Sequence, residues 1–330
     1  MSRNWMRTWS MSIGDTQMDP GLRIKFHTSM KTIEQPAVLI ATVLNVERNK
    51  AASIKTMKGK MVSLNAGYQD NCGLIFKGEV YGVQTLGRET PVDTYVRIEA
   101  QTGDPVYNHA YTSTTLKAGS TGMDVLNALM KSYTGITLGY IPQQQLQQLK
   151  YPRSRMLYGS TRDLLRELSR SIGATHYIDQ FMQLNMVPLT GKGNQGGGRV
   201  LNSNNGLLGM PVQTNMGVIA RVNLDPSYKM HDVVNIDQSL VREGNPVLFG
   251  PEGSEVNERR LPPLSPDGRY AIIAIENTGD NRGMGSDWWT ELTCAPIGAN
   301  GQINSSDDAI TQWPGTATGT AGKAPTGTGT

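Results

Sequence analysis

The stretch Ala118–Gly135 reads AGSTGMDVLNALMKSYTG, and Tyr158–Gly173 reads YGSTRDLLRELSRSIG. Both carry Gly-Ser-Thr, then an Asp, then leucines three apart, then a closing Gly. In the first, Val125, Leu126, Leu129, Met130 and Tyr133 recur at helical spacing. In the second, Leu164, Leu165, Leu168 and Ile172 do the same. Thr121 with Asp124, and Ser160 with Asp163, fit the start of a helix. The hydroxyl accepts from an orphan backbone N–H, and the acid faces the positive helix end. Gly135 and Gly173 stand where a left-handed cap is wanted. The repeated phrase therefore predicts two helices of about three turns each.

Extended text surrounds both helices. ITLGYIP follows the first, and THYIDQFMQLNMVP follows the second and predicts a hairpin. This argues for an α+β domain over Tyr107–Thr190, with QQQLQQLKYPRS as a helical turn plus a loop. On the N-terminal side, Gly21–Val106 holds AVLIATVLNV, VSLNAGY, GLIFKGEVYGVQ and VDTYVRIEA. In the last, Val92, Thr94, Val96, Ile98 and Ala100 alternate with Asp93, Tyr95, Arg97 and Glu99. Strands this dense predict a small barrel or sandwich. On the C-terminal side, GVIARVNL, DVVNID, YAIIAIEN and WWTELTC predict a second β block over Leu207–Gly298.

The remaining text is punctuation. Met1–Pro20 lacks a clear period and reads as an arm. Gly191–Gly206 is a Gly/Asn-rich linker by composition. Ala299–Thr330 is a low-complexity tail. The segment Arg242–Gly268 is a long loop of the kind that is functional or ordered by a partner. The fold class is thus mainly β with an α+β insertion: two small β-barrels flanking a two-helix α/β domain.

Composition narrows the function. The formal charge is +3 and charged residues make up 18% of the chain, too balanced to argue for a nucleic-acid-binding surface. Abundant glycine, with many Asn, Gln and Thr, suits a turn-rich β protein. The longest apolar stretch, Ala37–Leu44, is far short of the roughly 18 residues of a membrane helix. The N-terminus has no apolar core of a signal peptide. Two cysteines, Cys72 and Cys294, suit a reducing cytoplasm and read as small buried apolar residues.

No catalytic, metal or cofactor constellation emerges. His27, His109, His176 and His231 are scattered, with no metal-ligand spacing. GKGNQGGGR lacks the Gly-Lys-Ser/Thr ending of a phosphate loop. The tryptophans say more. Trp288 and Trp289 are adjacent in a strand, so they face opposite ways: one can enter the core, and the other lies outside its own sheet layer, either as a partner anchor or covered by the chain's own long loop; with Trp313 they are the candidate partner-interface residues. Trp313, in the Gly/Thr tail, has no local core and reads as an anchor on a neighbouring chain or as an exposed Trp of a disordered tail.

Four segments together carry a resemblance: GLIFKGEVYGVQTLGRETPVDTYVRIEAQTGD, the two GST…L..L…G helices with their hairpin, GLLGMPVQTNMGVIARVNLDPSYKMHDVVNID, and DGRYAIIAIENTGDNRGMGSDWWTELTCAPIG. In this order they resemble baseplate hub proteins of contractile-tailed bacteriophages, over about Gly21–Gly298. The third segment is read as a Gly-Met-Pro-x-Gln-Thr turn before a strand. The resemblance implies a structural virion protein of the tail baseplate, made in the host cytoplasm. It implies a homotrimer whose six barrels ring a channel and join the hexameric tail tube to the trimeric central spike. Expected partners are further copies of the chain, the tube protein, the spike protein and baseplate wedge proteins. Genome DNA would pass through without specific binding. No cofactor and no enzymatic activity are implied. Rival readings are a tail-associated cell-wall hydrolase, a glycan- or receptor-binding tail module, or the hub of a related injection machine.

Overall fold

In the structure, a computed structural model that describes residues 6–31, 36–188, 198–214, 216–243, 264–283 and 287–297, both repeated phrases become helices. α3 (Gly122–Met130) starts on a complete capping box. Thr121 Oγ1 accepts from the Asp124 N–H at 3.3 Å, and the Asp124 carboxylate accepts from the Thr121 N–H at 2.8 Å. Hydrogen bonds from the Thr121 backbone and side chain hold the Asp124 carboxyl below its usual range. α5 (Thr161–Ser171) repeats the text but not the device: Ser160 makes no capping bond, and Asp163 pairs with Arg166 at 3.1 Å. Gly173 (φ 64°) follows α5 directly, while Gly135 (φ 83°) closes a separate turn beyond α3. Thr121→Ala is therefore expected to cost about 1 kcal/mol. Ser160→Ala should cost less than about 0.5 kcal/mol. Thermal unfolding of the two variants checks the contrast, and equal losses would refute it.

These helices share an apolar core of their own. Val125, Leu126 and Leu129 of α3 meet Leu165 and Leu168 of α5, with Leu184 and Met186 beneath them. The last two lie on β12 (Gln183–Pro188), which forms the expected hairpin with β11 (Ala174–Ile178). β9 (Thr137–Leu138) adds a parallel strand to β12. α2 (Asp104–His109) and α4 (Gln143–Gln148) are single short helices, and β8 (Tyr111–Leu116) pairs with β10 (Arg155–Ser160) in a separate two-stranded ribbon.

The N-terminal strands are β1 (Arg7–Ile13), β2 (Thr16–Gln17), β3 (Ile24–Lys31), β4 (Val38–Leu44), β5 (Met61–Tyr68), β6 (Asn71–Arg88) and β7 (Thr94–Gln101). α1 (Arg48–Lys55) lies between β4 and β5. The stretch read as an arm is thus partly a strand. β1 pairs with β5 over its whole length and buries Trp9, Met11 and Ile13. The C-terminal strands are β13 (Arg199–Leu201), β14 (Leu207–Thr214), β15 (Gly217–Asn223), β16 (Val233–Ile236), β17 (Arg242–Glu243), β18 (Arg269–Asp280) and β19 (Trp288–Pro296). β13 falls within the stretch read as a linker, and β17 within the one read as a loop.

The two groups are one sheet. Its order is β17-β14-β15-β19-β18-β3-β4-β7-β6-β5-β1-β2, and no closed ring of strands is found among the described residues. The fold is mainly β with an α+β insertion, as the periodicities predict, but the blocks are continuous rather than separate. The joint is β18. Its first residues pair with β16, and Ala274–Asp280 pair with β3 of the N-terminal group. A buried polar chain pins the register there: Thr290 Oγ1 donates to Asn277 Oδ1 at 2.7 Å, and Asn277 Nδ2 donates to Thr28 Oγ1 at 3.0 Å. Satisfied polar groups inside a core favour one register, because a slip would leave them unpaired.

Candidate assembly surface

The continuous sheet has a buried face and a half-exposed one, as the period of two dictates. The half-exposed face carries Arg97 and Glu99 (β7), Lys25, His27, Ser29 and Lys31 (β3), Glu276 and Thr278 (β18), Trp289 and Glu291 (β19), and Arg221 (β15). Its charges pair with one another. Arg97 meets Glu99 at 2.8 Å, Lys31 meets Glu276 at 3.6 Å, Arg221 meets Glu291 at 2.7 Å, and Lys25 meets Glu89. His27 Nδ1 lies 3.2 Å from Thr278 Oγ1. Such exposed pairs add little stability, at about 0–1 kcal/mol each. Their effect is a broad polar face with little uncompensated charge.

Beyond Arg221 the face turns apolar. On β14, Leu208, Met210 and Val212 point outward, with Met210 48% exposed. Leu208 stands opposite Arg221, and Val212 opposite Ile219. The Gly-Met-Pro-x-Gln-Thr stretch, read as a turn, is instead part of this strand. It contains an irregularity between Leu208 and Val212, where Gly209 takes φ 73°. Among the described residues the far edge of β14 is met only by β17, at Val212 and Gln213. An apolar edge with unpaired backbone groups is a ready template for another chain.

The adjacent tryptophans part as the strand period dictates, and the buried one packs against the N-terminal strands. Trp288 is 2% exposed and lies inside this chain. Its indole N–H donates to the Gly67 carbonyl at 3.1 Å, and its ring meets Phe26 edge-on at 5.3 Å between centroids. Arg7 lies 5.8 Å from that ring, and its Nη1 donates to the Asp280 carbonyl at 2.7 Å. Trp288 therefore joins the C-terminal strands to β1, β3 and β5. Trp289 faces outward under the Arg221 guanidinium, 4.7 Å from its ring, beside the β14 patch. Trp313 lies outside the described residues.

A second exposed apolar group sits on the insertion. Tyr111, Met156 and Tyr158 stand on the open face of the β8–β10 ribbon, and the two tyrosine rings meet edge-on at 5.2 Å. Sequence reasoning missed both patches. The alternation Leu208, Met210, Val212 is visible in the sequence, but Leu207, Gly209 and Pro211 between them obscure it. Of the histidines, His176 is buried against Ser169 Oγ at 2.9 Å. His231 is buried, and neither ring nitrogen has a hydrogen-bond partner among the described residues. Cys294 is buried as expected; Cys72 is exposed, contrary to its expected place in a core, because it sits at the β5–β6 turn. Among the described residues no group of three or more His, Cys, Asp or Glu is placed to hold a metal ion, and no helix is long and apolar enough to cross a membrane.

A family model described as "Baseplate hub gp41" matches residues 38–249. In overall fold the chain is similar to the 43 kDa tail protein of prophage MuSo2 from Shewanella oneidensis, with TM-score 0.58 and 9% identity, over 90% of this chain and 100% of that one. It is also similar to the tail protein from Neisseria meningitidis MC58, with TM-score 0.56 and 8% identity, over 93% of this chain and 98% of that one. A comparison with curated proteins returned no significant match.

Proposed function

The chain belongs to the baseplate hub gp41 family, and from that membership we propose that three copies close into a ring joining the tail tube to the central spike. Membership makes it a structural component of the phage tail. The finer reading rests on the continuity of its two strand groups through β18 and β3. A chain with two β blocks, repeated three times, offers six blocks around one axis. That arrangement suits a six-fold tube on one side and a three-fold spike on the other. Closed rotational symmetry needs two complementary surfaces per chain. The β14 edge, with Leu208, Met210 and Val212, together with Trp289 two strands in from it, supplies one of them. The broad face of paired charges suits the wall of a passage, where DNA must slide without being held. The ribbon bearing Tyr111, Met156 and Tyr158 is a contact for the surrounding wedge proteins. The chain acts by shape, in the virion, without catalysis.

Met210→Asp with Val212→Asp tests the edge. Both side chains are exposed, so the monomer should lose no more than about 0.5 kcal/mol per site. Sedimentation of the wild type should give a species near three times 36.0 kDa, and the double variant should sediment as a monomer. A trimer that survives both substitutions would remove the edge from the interface.

A further inference from the structure

The small net charge of this chain conceals a segregation. Residues 47–60 hold Arg48, Lys50, Lys55, Lys58 and Lys60 against one carboxylate, Glu47. That is a net +4 within a chain of net +3, so all other residues together sum to −1. The structure exposes Arg48, Lys55, Lys58 and Lys60. Lys50 donates to the Gln17 carbonyl, and the Lys60 stem lies over Gly14 in the β1–β2 turn. None of the five forms an ion pair among the described residues, and neither do the nearby Glu47 and Asp15. Other cations are paired, as with Arg23 and Asp280 or Arg221 and Glu291, so it is the clustering of five cations in fourteen residues that sets this stretch apart.

The position of α1 selects the occupant. Ala51 and Ile54 are buried in the same core as Met11, Val62 and Phe76. α1 therefore covers the core-facing side of the sheet, not its polar face. We propose that α1 and the loop to β5 form a docking surface for a carboxylate-rich face of a different baseplate protein. A second copy of this chain is a poor fit. Outside residues 47–60 it carries a net charge of only −1, and eight of its acids, Asp280, Glu89, Glu276, Glu99, Glu167, Asp163, Asp225 and Glu291, are engaged by its own cations. DNA is disfavoured by position. This point rests on the ring reading: if the polar face lines the passage, α1 lies off it. The stretch 47–60 also lacks any aromatic residue on which a base could stack. Clustered unpaired charge steers a complementary partner and raises the rate of encounter more than the final affinity.

Acetylation of lysines in purified tails and in the isolated chain tests this, followed by zero-length coupling of amines to carboxylates. Lys55, Lys58 and Lys60 should be modified in the isolated chain, protected in tails, and coupled to Asp or Glu of another polypeptide. Equal modification in both states would overturn the proposal. So would protection present in DNA-filled particles and lost from DNA-free tails, because DNA would then be the occupant. If purified tails lack the chain, the hub reading fails separately. The patch is then tested on the isolated chain with labelled poly-L-glutamate. The K55E/K58E/K60E variant is expected to bind about tenfold more weakly at low salt, and unchanged binding would overturn the proposal.

Discussion

Trp288→Ala should destabilise the chain by about 3–5 kcal/mol, the range for removing a large aromatic from a core. Three losses combine. The buried indole leaves a cavity between β19 and the N-terminal strands. The edge-on contact with Phe26 disappears. The Gly67 carbonyl loses its donor. Native domains are stable by only about 5–15 kcal/mol, so a loss of this size is a large share of the whole. Trp289→Ala, one residue away, should cost less than about 1 kcal/mol, because that ring lies on the half-exposed face under Arg221. Urea titration of both variants compares them directly. A loss below about 1 kcal/mol for Trp288→Ala would mean that this side chain does not tie the two strand groups together.

Acid should weaken the fold through His231. Its ring lies 5.5 Å from Tyr177 of the insertion, and its backbone N–H donates to the Ile272 carbonyl at 2.8 Å. Burial lowers its pKa from 6.5 to about 4. Burial also raises the Tyr177 hydroxyl, with Asp179 and Asp232 adding to the rise. The folded state thus holds His231 neutral while the unfolded chain takes up the proton. Stability is complete above about pH 6.5 and falls as pH drops from there toward 4. Each pKa unit corresponds to about 1.36 kcal/mol, so the full loss is about 3 kcal/mol, of which about 2 appears between pH 7 and pH 5. His231→Asn retains a residue that tolerates the observed φ of 65°. Unfolding free energies at pH 7 and pH 5 should differ by about 2 kcal/mol more in the wild type than in this variant. Parallel pH profiles would show that His231 is not the titrating group.

The local devices were legible in the sequence. The Thr121–Asp124 box, the leucine spacing of α3 and α5, and the alternation around Val96, Ile98 and Ala100 all carry their structural reason within a few residues. The opposite facing of Trp288 and Trp289 follows from the strand period alone. What failed was long-range. β1 looked like an arm because its partner, β5, lies beyond β4 and α1 in the chain. The joint between β3 and β18 connects Thr28 to Asn277, and no local periodicity encodes a pairing across that separation. Ser160 shared the text of Thr121 without its capping bond, since the same letters specify a device only where the local backbone brings donor and acceptor together. The β14 edge was hidden by an irregular strand, and the basic stretch 47–60 by averaging charge over 330 residues.

The most direct test of the ring is a reconstruction of the isolated tail end by electron microscopy, with copies of this chain counted at the junction of tube and spike. The expected result is three copies, whose six strand groups surround a central passage with the β3–β18 joint inside each copy. Six copies, a single copy, or a position away from the tail axis would contradict the account.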